Sequence, residues 1–415
     1  MSIKRNSIVI LILTVFFINV NAQNIDTSYK TLESITVVSR NLKITEKASP
    51  YSITKLDQHQ IASSAFRTTP EALMGSNGVF IQKTNHGGGS PFIRGLTGNQ
   101  TLILVDGIRL NNSTFRYGPN QYLNTIDMFT IDKIEVAKGI GAIEYGSDAM
   151  GGVINLSTKE NEYSSRPIIH ASTLGKFISS NMEQTSRSEI SFSNAQLAIQ
   201  GGLSFRNYGN LKGGGNVDIQ NPTGYNENNI DLKVKLKITK QDEVIIATQN
   251  TIQHHVPIYH KIALENYRIN EVEKQARSLN YVKYKHIDNN KWFAEFLVTA
   301  STQRTIEQRS LQRNNSTIYR NEADTVHTIG MTSEIISKPT KYWTFNTGFD
   351  YYQDNIYSSA KELNQQTNTT VFKRGLYPNA AKYNNSSVFN LHHFQLGRLF
   401  IETGLRYNFL KINID

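Results

Sequence analysis

The chain has 415 residues, a net charge of +10 and 19% charged residues, against roughly 25% charged in an average soluble domain. It has no cysteine, which excludes disulfides and cysteine-ligated metal sites. Its longest apolar stretch, 8–18, is shorter than the roughly 20 residues of a spanning helix, which excludes a helical membrane protein. The basic residues are scattered along the sequence and form no continuous block, so we expect no nucleic-acid partner.

The amino terminus has the pattern of a secretory signal. Lys4 and Arg5 precede the apolar stretch, and small residues ending at Ala22 follow it. This order predicts a signal peptide over 1–22, cleaved after Ala22. A retained helical anchor is the alternative, and the short apolar stretch disfavours it.

Residues 45–160 are predicted to form a small α+β domain. Thr101–Val105 is a continuous apolar run typical of a strand covered on both faces, and Asp106-Gly107 predicts a two-residue hairpin turn after it. Thr69 followed by Pro70 predicts a capped helix that ends by Gly75. Two further strands are expected, at Ile131–Lys138 and Val153–Thr158.

From about 163 onward, apolar and polar residues alternate with period two, and the pattern predicts about eleven strands. Their connections alternate between tight turns, such as 240–242 and 288–290, and long polar loops at 210–227, 257–274, 309–323 and 358–384. Such alternation is typical of an outer-membrane barrel. Five aromatic residues near strand ends would suit interfacial girdles: Tyr281, Trp292, Tyr342, Trp343 and Tyr407. A large soluble β-sandwich is the alternative.

Three blocks within 45–160 resemble the plug of the TonB-dependent outer-membrane receptor family. They are Pro91–Leu96 running into Asn99–Arg109, then Ile131–Gly139, then Glu144–Leu156, and they match the family in order and spacing. The resemblance implies a mainly β fold: a small α+β plug over 45–160, then an antiparallel transmembrane β-barrel from 161 to 415. Family members close a barrel of about 22 strands, so the chain would hold about half of one.

The segment 23–44 would be periplasmic and carries a heptad similar to the family's TonB box: Glu33, Ser34, Ile35, Thr36, Val37, Val38 and Ser39. Its position close to the mature amino terminus leads us to expect no domain before it. An extended Ile-Thr-Val-Val segment can also add as a strand to the sheet edge of a partner, here the TonB protein.

The resemblance further implies a set of plug residues that shape the domain and hold it in the barrel. Arg94 and Glu135 lie in otherwise apolar contexts, so if buried they should be paired, either with charges of the barrel wall or locally within the plug. The full set comprises Arg94, Gly95, Asp106, Gly107, Glu135, Gly139, Tyr145, Gly146, Gly151 and Gly152.

Four residues are candidates for contact with substrate. His86 lies in a glycine-rich loop that could form the outward apex of the plug, and imidazole is a common haem and metal ligand. Arg116, Tyr117 and Gln121 lie in a segment rich in hydrogen-bonding and stacking side chains, which in the family faces the extracellular vestibule. The alternatives are a lining histidine and a packed connection under the barrel rim.

The sequence contains no nucleophile elbow, zinc-type histidine pair or phosphate-binding loop, so we expect no enzyme, no cofactor and no metal site. The expected function is TonB-energised import of a scarce nutrient across the outer membrane of a Gram-negative bacterium. A ferric siderophore or haem-type iron complex ranks first and cobalamin next. The expected partners are TonB with its inner-membrane energising complex and the lipid and lipopolysaccharide of the outer membrane.

Two alternatives stay open. The chain could be a non-energised outer-membrane binding protein or adhesin. Because about eleven strands are half of what the family uses, the sequence also predicts either a piece of a longer receptor or a non-functional remnant.

Overall fold

The computed structural model describes residues 35–37, 43–45, 52–83, 85–139, 142–288 and 290–414. These residues are mainly β, with a small α+β domain followed by a large antiparallel sheet, which confirms the predicted fold class. Across the same ranges, no helix combines the length and apolar character that crossing a membrane requires.

The amino-terminal part contains short strands and helices. Its strands are β1 (Ile35–Val37), β2 (Lys43–Thr45), β3 (Ser52–Leu56), β4 (Val79–Lys83), β5 (Gly89–Ile93), β6 (Thr101–Val105), β7 (Ile108–Arg109), β8 (Ile131–Lys138) and β9 (Gly152–Thr158). Its helices are α1 (Gln58–Ser64), α2 (Thr69–Ala72) and α3 (Ala142–Tyr145), with 3₁₀ turns at Gly98–Gln100, Tyr122–Thr125 and Met128–Thr130.

The large sheet, called the wall below, is built from longer strands. These are β10 (Ile168–Ile178), β11 (Glu183–Ser193), β12 (Leu197–Tyr208), β15 (Tyr225–Lys237), β16 (Asp242–Pro257), β17 (Tyr267–Ile287), β18 (Glu295–Arg313), β19 (Ile318–Thr340), β20 (Trp343–Asn364), β21 (Thr369–Arg374), β22 (Lys382–Leu396) and β23 (Leu399–Asn413). A short hairpin, β13 (Leu211–Lys212) and β14 (Ile219–Gln220), and helix α4 (Tyr259–Leu264) lie in its connections.

The small domain (52–158) is organised around one five-stranded sheet in the order β3-β8-β9-β6-β7. Strand β6 pairs in parallel with β9, and every residue of β6 is buried, as its unbroken apolar run predicts. The turn after β6 is also as predicted. Val105 pairs with Ile108 across Asp106 and Gly107, which have φ angles of 52° and 83°, and this conformation suits an Asp-Gly pair.

Helix α2 differs slightly from its prediction. Thr68 rather than Thr69 is the N-cap, and Pro70 lies in the first helical turn, where its missing N–H costs nothing. The free hydroxyl of Thr69 instead donates to the carbonyl of Ile126 at 2.7 Å, which anchors the helix to the rest of the small domain.

The wall is a twelve-stranded antiparallel sheet with the main order β10-β11-β12-β15-β16-β17-β18-β19-β20-β22-β23, and β21 pairs with β20 outside that order. One end, called the turn end, carries the tight connections 194–196, 238–241, 288–294, 341–342 and 397–398. The other, called the loop end, carries 179–182, 209–224, 258–266, 314–317 and 365–381.

Several loops predicted to be long are mostly strand. Strands β17 to β20 are 21, 19, 23 and 22 residues long, about twice the length needed to cross a bilayer. They extend through much of the polar sequence assigned to loops at 257–274 and 309–323. These segments were predicted as loops because their residues are polar on both faces of the strand. Such a strand has no alternating hydrophobic pattern in its sequence.

The wall is apolar outside and polar inside. Along β12, Leu203 and Phe205 are exposed, whereas Ser204 and Arg206 are buried against the small domain. The same alternation recurs on β15, where Ile230 is exposed and Asn229 is buried. A sheet with this polarity suits lipid on its outer face and a polar lumen on its inner face, and it is the reverse of a soluble sandwich.

The aromatic residues expected in girdles divide into two groups. Trp292 and Tyr342 are exposed at the turn end, and Trp292 packs edge to face on Trp343. Tyr281 is instead buried and donates its hydroxyl hydrogen to Asp106 of the small domain at 2.9 Å. The girdle assignment of Tyr281 is therefore wrong, because its position in β17 faces inward.

Candidate functional site

Asp127 is a buried charge between the small domain and the wall, with a side chain that is 3% exposed. It caps the 3₁₀ turn Met128–Thr130, where one carboxylate oxygen accepts from the backbone N–H of Phe129 at 2.9 Å. Two wall arginines reach the same carboxylate, Arg206 and Arg187, the latter at 3.4 Å. The hydroxyl of Ser204 donates to it at 2.7 Å. Burial raises the pKa of the Asp127 carboxyl, but the two guanidinium groups outweigh it and hold the pKa below its ordinary value.

Further wall carboxylates complete this network. Arg206 also pairs with Glu227, and Arg187 pairs with Asp231 at 2.8 Å. The arginines are thus held in place by the wall itself, ready to receive the carboxylate from the small domain. Such a preformed site limits the desolvation penalty of a buried ion pair.

Asp106 makes a second connection, at the hairpin turn between β6 and β7. Its carboxylate lies 3.3 Å from Nζ of Lys233 and accepts from the backbone N–H and hydroxyl of Thr158 at 2.8 and 2.7 Å. Nζ of Lys283 donates to its backbone carbonyl at 3.0 Å. Burial raises the pKa of Asp106, and the two lysines overcome that effect and lower the pKa to about 2. Asp106 was among the predicted plug residues, and the structure places it against the wall.

Arg94 and Glu135, the other two charged members of that set, lie in different surroundings. Arg94 is exposed in a turn with a φ of 52° and makes no ion pair within the described ranges. Glu135 is buried and pairs with Lys133 of its own strand at 3.1 Å, which is the local arrangement left open above. The condition of burial is not met for Arg94, because the residue lies beyond the end of β5, so the pairing expected for a buried Arg94 stays a prediction.

The remaining members of the set shape the backbone turns and the packing of the small domain. Gly95 and Gly107 have φ near 83°, in the left-handed region that favours glycine, and the buried ring of Tyr145 packs with Leu102 and Leu104. Gly139, Gly146 and Gly152 also have positive φ, and a Cβ at Gly151 would lie 2.9 Å from the carbonyl oxygen of Ile93.

His86 is buried rather than at an exposed apex. Its Nδ1 lies 3.0 Å from the carbonyl oxygen of Gly209, its Nε2 lies 3.3 Å from a guanidinium nitrogen of Arg67, and its ring packs on Tyr208. Burial lowers the pKa of the imidazole to about 4. The expectation that His86 is presented to substrate is therefore wrong for this conformation, since both ring nitrogens are engaged.

The other three substrate candidates lie at different depths. Tyr117 is 80% exposed, and Arg116 is 44% exposed and 3.7 Å from Glu307 of the wall. Gln121 is half-buried, and its side-chain oxygen accepts from Asn85 at 3.2 Å. Arg116 and Tyr117 thus offer a cation and an aromatic ring to a ligand, whereas Gln121 supports the loop that contains His86.

A cavity of about 280 Å³ lies between the small domain and the inner face of the wall. On one side Arg109 pairs with Asp148 at 2.7 Å, and on the other side Tyr383 and Asp354 line it. This lining offers hydrogen-bond donors and acceptors together with aromatic rings. Across the described ranges no group of three or more histidine, aspartate or glutamate side chains could hold a metal ion.

The heptad similar to a TonB box is described only in part. Ile35, Thr36 and Val37 form β1 and pair antiparallel with β2, with Ile35 opposite Thr45. Glu33, Ser34, Val38 and Ser39 lie outside the described residues. The extended conformation of 35–37 is the one that strand addition to a partner requires.

Sequence reasoning missed Asp127 and its arginines. A signal was available, because Arg187 and Arg206 alternate with outward-facing residues along β11 and β12 and must point inward. Which charge of the small domain they meet depends on the three-dimensional packing of two distant parts of the chain.

Three comparisons bear on this arrangement. The family model for the TonB-dependent receptor plug domain matches residues 45–153. The chain is 30% identical over 178 residues to the vitamin B12 transporter BtuB of Vibrio vulnificus, covering 42% of this chain and 27% of that protein. It is 23% identical to the rhizobactin receptor of Rhizobium meliloti, covering 90% of this chain and 54% of that protein.

Among solved structures, the copper transporter OprC superposes with a TM-score of 0.71 at 12% identity, covering 87% of this chain and 55% of that chain. At this identity the likeness shows the fold. The chain spans about a quarter of the vitamin B12 transporter and about half of the other two proteins.

Proposed function

Because the chain belongs to the TonB-dependent receptor family, we propose that it is the plug and part of the barrel of an outer-membrane receptor. In this proposal 1–22 is a cleaved signal peptide, 23–44 a periplasmic segment with a TonB box at 33–39, 45–160 the plug, and 161–415 barrel. The receptor binds a scarce nutrient outside the cell and imports it with energy delivered by TonB.

One observation carries the proposal. The wall presents apolar side chains outward and charged ones inward, and the inner charges meet a separate domain inside it. An adhesin needs no domain held in its lumen. A transporter does, because a domain in the lumen blocks the passage at rest and rearranges when substrate passes.

The exposed pair Arg116 and Tyr117 supports the proposed substrate class. A guanidinium group recognises carboxylates and other anionic oxygens, and an exposed phenol ring offers a stacking surface. Together they favour an anionic chelate with aromatic or conjugated groups over a neutral ligand. We therefore propose a ferric siderophore or haem-type iron complex, with cobalamin second.

The test is growth of a deletion strain on single iron sources. Cells lacking the gene are grown under iron limitation with a ferric hydroxamate, a ferric catecholate, ferric citrate or haem, and separately under conditions that require cobalamin. We expect loss of growth on one iron source, restored by the full-length gene. Normal growth on every iron source would reject the iron proposal, and a defect confined to cobalamin would establish the second candidate.

A further inference from the structure

Three consecutive glycines carry the loop that follows β4 into a narrow space against the wall. A Cβ at Gly87 would lie 1.9 Å from the phenol oxygen of Tyr225, and one at Gly88 would lie 2.8 Å from the side-chain oxygen of Gln121. These positions leave no room for any other residue. The segment 85–89, called the docked loop below, is therefore enclosed rather than free at an apex.

The docked loop bonds to the connection 209–224 and to the last residue of β16, both at the loop end of the wall. The backbone N–H of His86 donates to the carbonyl of Thr223 at 3.1 Å, and the side chain of Asn85 donates to the carbonyl of Pro257 at 3.0 Å. The imidazole of His86 adds the contact with Gly209. Gly209 and Thr223 flank the β13–β14 hairpin on both sides.

Apart from the bonds to His86, the described hydrogen bonds of 209–224 lie within that segment or go to Met182 of the β10–β11 connection, and the hairpin carries exposed apolar side chains. Its strands pair through Leu211 with Gln220, its tip is Gly213–Gly215, and Val217 and Ile219 are each more than half exposed. The side chain of Asn210 accepts from the backbone of Thr223 and closes the base. The two ends of the hairpin are therefore joined at its base, and His86 contacts both of them.

The partners of His86 fix its protonation state. Arg67 can only donate and the Gly209 carbonyl can only accept, so the bonds require a neutral ring that carries its hydrogen on Nδ1. Arg67 is itself held by Glu71, at 2.6 Å. Lys83, Tyr208 and Tyr225 also face this region. A protonated His86 would oppose the guanidinium group of Arg67 at 3.3 Å.

We propose that His86 is the positioning residue that ties the β13–β14 hairpin to the small domain, and that breaking its imidazole bonds shifts the hairpin toward an open position. The residue thus acts between the loop end, where ligand would arrive, and the domain that must rearrange. The biological purpose of this contact rests on the proposed function. The contact itself is present in the protein without ligand.

The tie can be measured as a distance. The sequence has no cysteine, so Ser64→Cys on α1 and Gly214→Cys at the hairpin tip accept spin labels without background. A Cβ at Gly214 meets nothing within 4 Å, and Ser64 is exposed. Pulsed electron paramagnetic resonance on the full-length protein in outer-membrane vesicles then reports the distribution of the label separation.

At pH 7 we expect a narrow distribution in the parent and a broad one in His86→Phe. Losing the imidazole bonds should raise the ratio of open to closed molecules about tenfold, as the loss of a buried hydrogen bond typically does. His59→Phe, the same change on an exposed residue of α1, is the matched control and should stay narrow. A narrow distribution in His86→Phe would overturn the proposal.

A measurement at acid pH distinguishes a role of the His86 hydrogen bonds from a role of its ring in packing. The parent should open as the pH falls through about 4, whereas His86→Gln, which can donate and accept but does not titrate, should stay closed there. If His86→Gln opened together with the parent, another group would be responsible and the proposal would fail. Since no substrate is added, a failed iron-uptake test leaves this result unaffected.

Discussion

Asp127 of the small domain and Arg206 of the wall form an ion pair in which neither side chain is more than 3% exposed. Charges this enclosed are held by their partners rather than by water. Because Arg206 also pairs with Glu227, the wall keeps its arginine oriented when the carboxylate leaves. Removal of the Asp127 carboxylate would therefore leave Arg206 paired rather than alone.

Replacing Asp127 with asparagine should destabilise the protein and loosen the small domain. Breaking a buried pair typically costs 3–5 kcal/mol, and since Glu227 and Asp231 still compensate the arginines, we expect about 2 kcal/mol. Thermal unfolding of the detergent-solubilised protein measures it. Asp132→Asn, the same change at a less buried residue of β8, is the control. Equal stability of the two variants would show that Asp127 does not fasten the domain.

Asp106 should make stability depend on pH. Its pKa of about 2 in the folded protein lies below the ordinary 3.8, so its contribution is complete above pH 3.8 and is lost as the pH falls toward 2. The shift corresponds to about 2 kcal/mol. Unfolding midpoints of the parent and Asp106→Asn should therefore differ at pH 6 and converge near pH 2. A constant difference across that range would contradict the assignment.

The sequence was informative where local chemistry decides the structure. Asp106-Gly107 predicts its turn because both residues accept positive φ, and the apolar run of β6 predicts a strand buried on both faces. The blocks that resemble the plug family supplied the architecture. Tyr281 and His86 failed for one shared reason: the direction of a side chain depends on packing between segments far apart in the chain.

The candidate site was accordingly predicted in part. Asp106 was named, but its wall partners Lys233 and Lys283 were not, because pairing across the boundary has no sequence period. Arg94 is exposed although its neighbours in the sequence are apolar, since an apolar neighbourhood in the sequence is not burial in the fold. Arg116 and Tyr117 are exposed, as contact with a ligand requires.

Variants at Arg116 and Tyr117 test that role. Arg116→Ala removes a charged hydrogen bond to an anionic chelate, and Tyr117→Ala removes a stacking surface, so each should weaken binding about tenfold. Equilibrium binding of the iron complex identified by growth, measured on outer-membrane vesicles, gives the dissociation constant. Lys240→Ala removes an exposed cation at the turn end and should leave affinity unchanged. Unaltered affinity in both loop variants would place the ligand elsewhere.

Energisation is tested by Ile35→Pro. Proline removes the backbone donor of residue 35, so strand addition to TonB should fail, while ligand binding at the distant loop end should persist. Uptake of labelled substrate should then fall to the level of a strain without TonB. Asn24→Pro, upstream of the heptad, is the control. Uptake unchanged in Ile35→Pro would favour the non-energised binding protein, and loss of binding together with uptake would indicate misfolding.

The outward face of β15 tests whether the wall lies in lipid. Ile230 is exposed near the middle of the strand, and Asn226 is exposed on the same face near the loop end. A lysine at the bilayer midplane costs about 2–4 kcal/mol and one near the interface about 0–1 kcal/mol. Ile230→Lys should therefore lower the urea midpoint of the vesicle-inserted protein far more than Asn226→Lys does. Equal midpoints would mean that water rather than lipid covers this face, since an exposed lysine in water costs almost nothing.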